Sequence, residues 1–226
     1  MNIEKIYYIN LDKRKDRRQF MEKRLSSIDL PYERFSAISP TNEDLTGKYK
    51  EFRDRMDDWM ESEENSHGKL LGTLGCYLSH YFIHKKALKS SHGNYLILED
   101  DWTINPEAIN MLRKSFSQGL VGWDWDIFGS FWSSHRHMVI KHRGTIFNSR
   151  FYNGRPCRPL GGTHFMLFNK KSTSKIINFL DCENVFNIDG VFHNDMLNIY
   201  HQNMPIENNG SKSDIQCHEN DNNECL

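Results

Sequence analysis

The chain has 226 residues, a formal net charge of -1 and a mean hydropathy of -0.71. That length suits one α/β domain with a core of its own, and no apolar run approaches the roughly 20 residues of a membrane helix. A balance this near neutral speaks against a chain built to grip duplex nucleic acid, and five scattered cysteines without a CxxC read as reduced thiols rather than a zinc ribbon or a thioredoxin motif.

Residues 5–10 (KIYYIN) are aromatic and β-branched, the composition of a buried strand. Asp12 follows as an expected N-cap, and residues 14–28 read as a helix with Phe20, Met21, Leu25 and Ile28 toward the core and Pro31 as the stop. From 39 to 68 the chain turns acidic. Phe52, Met56, Trp59 and Met60 recur there at i, i+4, i+7 and i+8, which predicts a surface helix, either a lid facing an acceptor or a solvated excursion. Residues 73–89 predict a helix with Leu74, Leu78, Tyr81, Phe82 and Leu88 on one stripe. Residues 94–98 (NYLIL) predict a buried strand that runs into Glu99-Asp100-Asp101. Asn105 as cap and Pro106 at the first helical position open another helix through Ile109, Leu112 and Phe116.

Further strands are expected at 125–131 and 163–168, a hairpin at 138–147 around Arg143-Gly144, and helices at 172–180 and 191–200. From Glu207 onward apolar residues nearly vanish, which reads as an ordered rim that becomes a disordered tail. Residues 1–206 are therefore assigned to one domain, with an acidic insertion near 40–68, and 207–226 to a polar tail. Strands alternating with helices predict an α/β fold, with a mixed, mainly parallel sheet flanked by helices and an antiparallel edge from the hairpin.

The sharpest chemical feature is the acidic triplet. Three adjacent carboxylates repel one another unless a cation or donors compensate, and ligands of open α/β sheets bind beyond the carboxyl ends of strands. Carboxylate oxygens suit Mg²⁺ or Mn²⁺. With strand alternation continued, Glu99 and Asp101 point one way and Asp100 the other; the alternative is a solvated acidic turn.

Lys13, Arg14, Lys15, Arg17 and Arg18 open the first helix, where positive charge is unfavourable unless an anion such as a phosphate is bound. Gly161-Gly162 before a strand allow close backbone approach to a ligand, or form only a turn. Asp189 and Asp195 flank His193, and either carboxylate suits a general base; Asp189 as a plain helix cap is the alternative. His135 and His137 lack a third ligand and read as surface residues. His80 and His84 stand at i, i+4 without the HExxH pattern of zinc proteases.

Several blocks resemble glycosyltransferase family 25: Ile6-Tyr7-Tyr8-Ile9-Asn10-Leu11-Asp12 with Arg14, Asp16, Arg17 and Arg18; Gly72-x-x-Gly75-Cys76-Tyr77-Leu78-Ser79-His80; and Tyr95-Leu96-Ile97-Leu98-Glu99-Asp100-Asp101. Gly162-Thr163-His164-Phe165-Met166-Leu167 with Lys171 and Lys175 is similar to the family's late strand–helix block, and Ile188-Asp189 and Ser213-Asp214-Ile215 to its closing elements. His164-Phe165, Asn169-Lys170 and the acidic stretch at 48–67 depart from the pattern.

The resemblance implies a GT-A-like domain and an inverting transferase. It would move a hexose, galactose or glucose, from a UDP-sugar to a glycan, a lipid-linked sugar or a hydroxylysine, with Mn²⁺ or Mg²⁺ as cofactor. Asp101 would ligate the metal, joined by Glu99 and His193; Glu99 would otherwise touch the ribose. Asn10, Asp12, Arg14, Arg17, Ser79, Glu99, Asp100 and Gly162 would line the donor site, and Asp189 would be the base. With no leader-like apolar stretch after Met1, a bacterial or viral cytoplasmic enzyme is expected, touching a membrane peripherally if the acceptor is lipid-linked. The competing functions are a non-catalytic nucleotide-sugar or carbohydrate-binding module and a metal-dependent phosphohydrolase.

Overall fold

The first strand, β1 (Ile3–Asn10), sorts its side chains onto two faces. Tyr7 and Ile9 enter one apolar cluster; Ile3, Ile6 and Tyr8 enter another. In the computed structural model the described residues are 2–62, 67–130, 146–148, 151–152, 155–156, 163–181, 188, 197–202 and 204–208. After β1 come α1 (Lys15–Leu25), β2 (Tyr32–Ser36), α2 (Asn42–Thr46), α3 (Lys50–Ser62) and α4 (His67–Lys89). Then follow β3 (Asn94–Glu99), β4 (Trp102–Ile104), α5 (Pro106–Ser117), β5 (Ile127–Ser130), and the short strands β6 (Ile146–Asn148), β7 (Phe151–Tyr152) and β8 (Arg155–Pro156). The chain continues through β9 (Phe165–Phe168), a 3-10 turn at Lys170–Ser172, α6 (Thr173–Leu180), β10 (Ile199–Gln202) and β11 (Ile206–Asn208).

The main sheet has the order β2-β1-β3-β9-β5-β10-β6-β7-β8. β1 is parallel to β2 and β3, and β5 to β10, while β9 runs against both β3 and β5. The expected mixed α/β sheet is therefore present, with β2, β1, β3, β5 and β10 in one direction. Its antiparallel element lies inside the sheet as well as at the β6–β8 edge. The 131–145 stretch that includes most of the expected hairpin lies outside the described residues.

On one face Tyr7, Ile9, Tyr95 and Ile97 pack with Leu74 and Leu78 of α4 and Ile176 and Ile177 of α6. On the other, Ile6, Tyr8, Leu96 and Leu98 pack with Met21 and Leu25 of α1 and Ile109 and Leu112 of α5. Near-continuous apolar strands are what a sheet covered on both faces requires. Asp126, before β5, ties the layers: it accepts from Ser172 Oγ at 2.6 Å, Lys175 Nζ at 2.5 Å and Asn198 N at 2.8 Å.

Five expectations change. α1 begins after Arg14 rather than on Asp12, whose carboxylate instead accepts from Arg34 and Ser36. β2 was not expected, because YERFS carries charge at the sheet margin. Leu88 is exposed, so the α4 stripe ends one turn earlier. Residues 199–200, expected in a helix, lie in β10, where pairing with β5 and β6 overrides the periodicity. Glu207 and Asn208, assigned to the tail, pair with Thr103 and Trp102 in a second small sheet; 209–226 lie outside the described residues. Asn105 does cap α5, accepting from Ala108 N at 2.9 Å.

His84 gives this core a pH dependence. It is fully buried in α4, its Nδ1 2.8 Å from Tyr95 Oη, which in turn lies 3.2 Å from Thr173 Oγ1. Burial, then the neighbouring His80, holds its pKa well below 6.5. The unfolded chain takes up this proton first, so the stabilisation is complete above about pH 6.5 and is lost as pH falls toward the folded value. His84→Gln should flatten the fall in denaturant-derived stability between pH 6.5 and 5 by up to about 1.4 kcal/mol per pH unit. An unchanged slope would show that His84 does not carry it.

Candidate active site

The carboxyl ends of β1 and β3 open onto a cleft of about 280 Å³. Its walls include Asn10, Lys13, Arg17, the 37–40 loop after β2, Gly72, Gly75, Cys76 and Ser79 of α4, and the three carboxylates Glu99, Asp100 and Asp101.

One face of α4 builds much of this wall. A Cβ at Gly75 would meet Ile38 O at 2.5 Å and Pro40 Cδ at 3.0 Å, so only glycine lets the loop lie this close. One turn on, Ser79 Oγ donates to Gly75 O at 2.7 Å and accepts from Ile38 N at 2.9 Å. The hydroxyl, expected to bind donor, staples the loop to the helix.

The acidic triplet divides three ways. β3 ends at Glu99 and the chain turns at Asp100–Asp101, so strand alternation does not extend to Asp101. Glu99 Oε1 accepts from Thr163 Oγ1 at 2.6 Å and lies 3.3 Å from His80 Nε2 and 3.5 Å from Cys76 Sγ. Burial alone would raise its pKa, but the bond and charge of His80 and the Thr163 hydroxyl hold it below the ordinary range. Asp100 faces α1: its Oδ1 accepts from Arg17 Nη1 at 2.9 Å and its Oδ2 from Asn10 Nδ2 at 2.7 Å.

Asp101 is different. Its Oδ1 is buried with no hydrogen-bond partner among the described residues. Burial first, then the charges of Glu99 and Asp100, raise its pKa to about 7, against the pull of Arg17. A buried carboxylate oxygen without a donor is rare. Beside two further carboxylates it fits a hard divalent cation of the Mg²⁺ or Mn²⁺ class.

The turn after β1 is locked. The Asn10 amide donates to Arg14 O at 3.0 Å as well as to Asp100, and its Oδ1 accepts from Arg34 Nε at 2.9 Å. Arg34 also reaches Asn10 O and Asp12. Arg14 pairs with Asp16 through two contacts, 3.1 and 2.9 Å, and Lys13 takes the cleft position instead. Next to Thr163, buried His164 stacks on Trp102 at 4.3 Å, and its pKa is pushed down to about 4 by burial, with the charge of Glu99 pulling the other way.

The structure thus brings Asn10, Arg17, Ser79, Glu99, Asp100 and Asp101 to one cleft. Gly162, Asp189 and His193 lie outside the described residues, as do His135 and His137. Missed from the sequence was Arg34, on an unexpected strand; Cys76, His80 and Thr163 stand in the family blocks but carried no assigned role. The available signal was the i, i+4 pair Cys76/His80 inside a glycine-marked helix. The ligand atoms of Cys76, His80 and Glu99 all lie within 4.8 Å of one another.

The family described as glycosyltransferase family 25 (LPS biosynthesis protein) matches residues 3–172. A glycosyltransferase 25 family member of Drosophila pseudoobscura pseudoobscura is 31% identical over 133 residues, 57% of this chain and 21% of that protein. The lipooligosaccharide biosynthesis protein lic2B of Haemophilus influenzae is 29% identical over 109 residues, 48% of this chain and 37% of that protein. The matched region is thus well under half of each relative. A solved glycosyltransferase involved in glycosylation of the major capsid of PBCV-1 aligns over 81% of this chain and 68% of its own, at 12% identity and a TM-score of 0.41. That likeness is remote, and the fold assignment rests on the strand order itself. No helix among the described residues is long and apolar enough to cross a membrane. Because the family match takes in β1, α1, the cleft face of α4 and the β3 carboxylates, the chain belongs to glycosyltransferase family 25.

Proposed function

We propose that the chain transfers a hexose, galactose or glucose, from a UDP-sugar to an acceptor hydroxyl with inversion, and that it needs a divalent cation. The observation that carries this reading is the buried Asp101 Oδ1, without a hydrogen-bond partner among the described residues, in a cleft shared with Glu99 and Asp100. A cation of the Mn²⁺ or Mg²⁺ class held by Asp101 and Glu99, with His193, would supply positive charge to the departing diphosphate.

The chain's own groups have distinct parts. Lys13 lines the cleft as a mobile cation suited to a phosphate. Asn10, Arg17 and Asp100 hold the β1–α1 turn against the β3–β4 turn, so the donor wall is set before ligand arrives. Asp12 and Arg14 flank that wall, Ser79 fixes the loop that closes it, and Gly162 lies in the stretch leading to Thr163. Asp189 would take the proton from the acceptor hydroxyl, since inversion needs one base on the acceptor side and no covalent glycosyl intermediate. Relatives include a human protein named procollagen galactosyltransferase 2 and the Haemophilus lipooligosaccharide protein. A glycan, lipid-linked sugar or hydroxylysine is the acceptor class they suggest. On the same reading the chain is a bacterial or viral cytoplasmic enzyme, with peripheral membrane contact where the acceptor is a lipid-linked sugar.

A thermal-shift panel of UDP-sugars with and without Mn²⁺ tests this. The true donor should stabilise the chain by about 2.7 kcal/mol at a hundredfold excess over its Kd, and only with the metal. No stabilisation by any UDP-sugar would reject the reading. Asp189→Asn should keep the donor shift and lose turnover; a lost shift would make Asp189 a donor or metal residue instead.

A further inference from the structure

The geometry points to a second kind of cation site in this cleft, one for a thiophilic divalent ion of the Zn²⁺ class, made by Cys76 Sγ, His80 Nε2 and Glu99 Oε1. Cys76 and His80 stand one turn apart on α4, and Glu99 ends the strand that α4 packs on. Sγ lies 3.5 Å and Nε2 3.3 Å from the same carboxylate oxygen. Bonds of about 2.0–2.3 Å to a tetrahedral zinc put neighbouring ligand atoms about 3.3–3.6 Å apart, so Sγ and Nε2 each already sit at ligand spacing from Glu99 Oε1, and the three ligand atoms lie within 4.8 Å of one another. His80 is fully buried and Cys76 half-buried at the cleft wall, so the imidazole is held in place while the sulfur stays within reach of an entering ion.

The donor set is not that of the Asp101 centre. Sulfur and imidazole select zinc, cobalt or cadmium over manganese and magnesium, which take oxygens. On binding, the Cys76 S–H bond breaks, its proton goes to solvent and the electron pair forms the metal–sulfur bond. Thr163 Oγ1, 2.6 Å from Glu99 Oε1, remains as a donor behind the carboxylate. Three protein ligands leave a fourth position open to the cleft. Capturing Glu99 would take it from the donor site, so occupancy blocks donor binding. That consequence alone rests on the transferase reading; ion binding is measured without donor or acceptor.

The test is alkylation of the metal-free wild-type chain by iodoacetamide, scored by mass spectrometry on the peptide that contains Cys76, so the other four cysteines do not enter. Equimolar Zn²⁺ should slow Cys76 alkylation at least about tenfold, and the same concentration of Mn²⁺ should not. Co²⁺ should give a thiolate charge-transfer band at one equivalent that disappears in Cys76→Ser and needs at least about tenfold more metal in His80→Gln. Asp101→Asn removes no ligand of this site and should keep both the Zn²⁺ protection and the Co²⁺ band. Absent protection by Zn²⁺, equal protection by Mn²⁺, or protection lost in Asp101→Asn would overturn the site. The footprint uses the native chain, so misfolding of a variant does not shelter the proposal. If Zn²⁺ protects Cys76 while no UDP-sugar shifts the melting temperature, the ion site stands and the transferase reading falls.

Discussion

Replacing Asp101 by Asn should lower sugar transfer by at least about 10²–10³-fold while raising the melting temperature of the metal-free chain. The two effects share a cause. In the metal-free state Asp101 Oδ1 is a buried acceptor without a described donor, and Glu99 and Asp100 lift its pKa to about 7 by like-charge repulsion after burial. Such a group costs about 1–3 kcal/mol of stability. Asn removes the charge at nearly constant volume and so removes its repulsion with Glu99 and Asp100. The same change removes the anionic oxygen proposed to hold the cation that neutralises the leaving group, and losing one preorganised electrostatic partner of a transition state costs this order of rate. Strain kept at a site because function uses it is a recurring pattern. The measurements are UDP release with acceptor present, and melting in EDTA and in Mn²⁺. In EDTA the variant should melt above the wild type; in Mn²⁺ the order should narrow or reverse, because only the wild type gains from the metal. Full activity of the variant in chelated buffer would refute the metal role. Lower stability in EDTA would show that Asp101 is a structural residue whose partner lies among the segments not described.

Much of this layout was legible in the sequence, for identifiable reasons. KIYYIN and NYLIL are buried on both faces, so their apolar runs survive any context. The acidic triplet could be placed at a strand's carboxyl end because the strand before it was unambiguous. The division of labour within the triplet was not legible. It depends on where β3 stops, and that is set by the turn at Asp100–Asp101 rather than by alternation. The i, i+4 spacing of Cys76 and His80 was visible, but their common target, Glu99, is distant in sequence and comes near only when α4 packs on β3. β10 was misassigned because Leu197, Ile199 and Tyr200 satisfy a helical count equally well; its strand state is fixed by pairing with β5, which no local pattern encodes. Arg34 escaped notice because a marginal strand rich in charge has no apolar signature.

Arg17→Met should destabilise the chain by about 3–5 kcal/mol. The guanidinium is buried, with a side-chain exposure of 4%, and its bond to Asp100 at 2.9 Å crosses from α1 to the β3–β4 turn. Met keeps most of the volume but takes the guanidinium away from the buried Asp100 carboxyl group, while the Asn10 Nδ2 bond at 2.7 Å remains. Much of the cost is therefore the buried carboxyl group losing its cation rather than the lost attraction alone. A second change isolates it. Asp100→Asn in the Arg17→Met background should recover half or more of the loss, because the amide is uncharged and can still accept from Asn10. A double-mutant cycle in urea, with the slope checked for constancy, measures the coupling, which should be 2 kcal/mol or more. A coupling near zero would mean that Arg17 and Asp100 are satisfied by other groups and that their contact is incidental. The cycle also separates two roles for the pair. If it only braces the two turns, the double variant should bind a UDP-sugar almost as the wild type does once it is folded. If Arg17 itself meets the diphosphate, donor affinity should stay lost after stability has been restored.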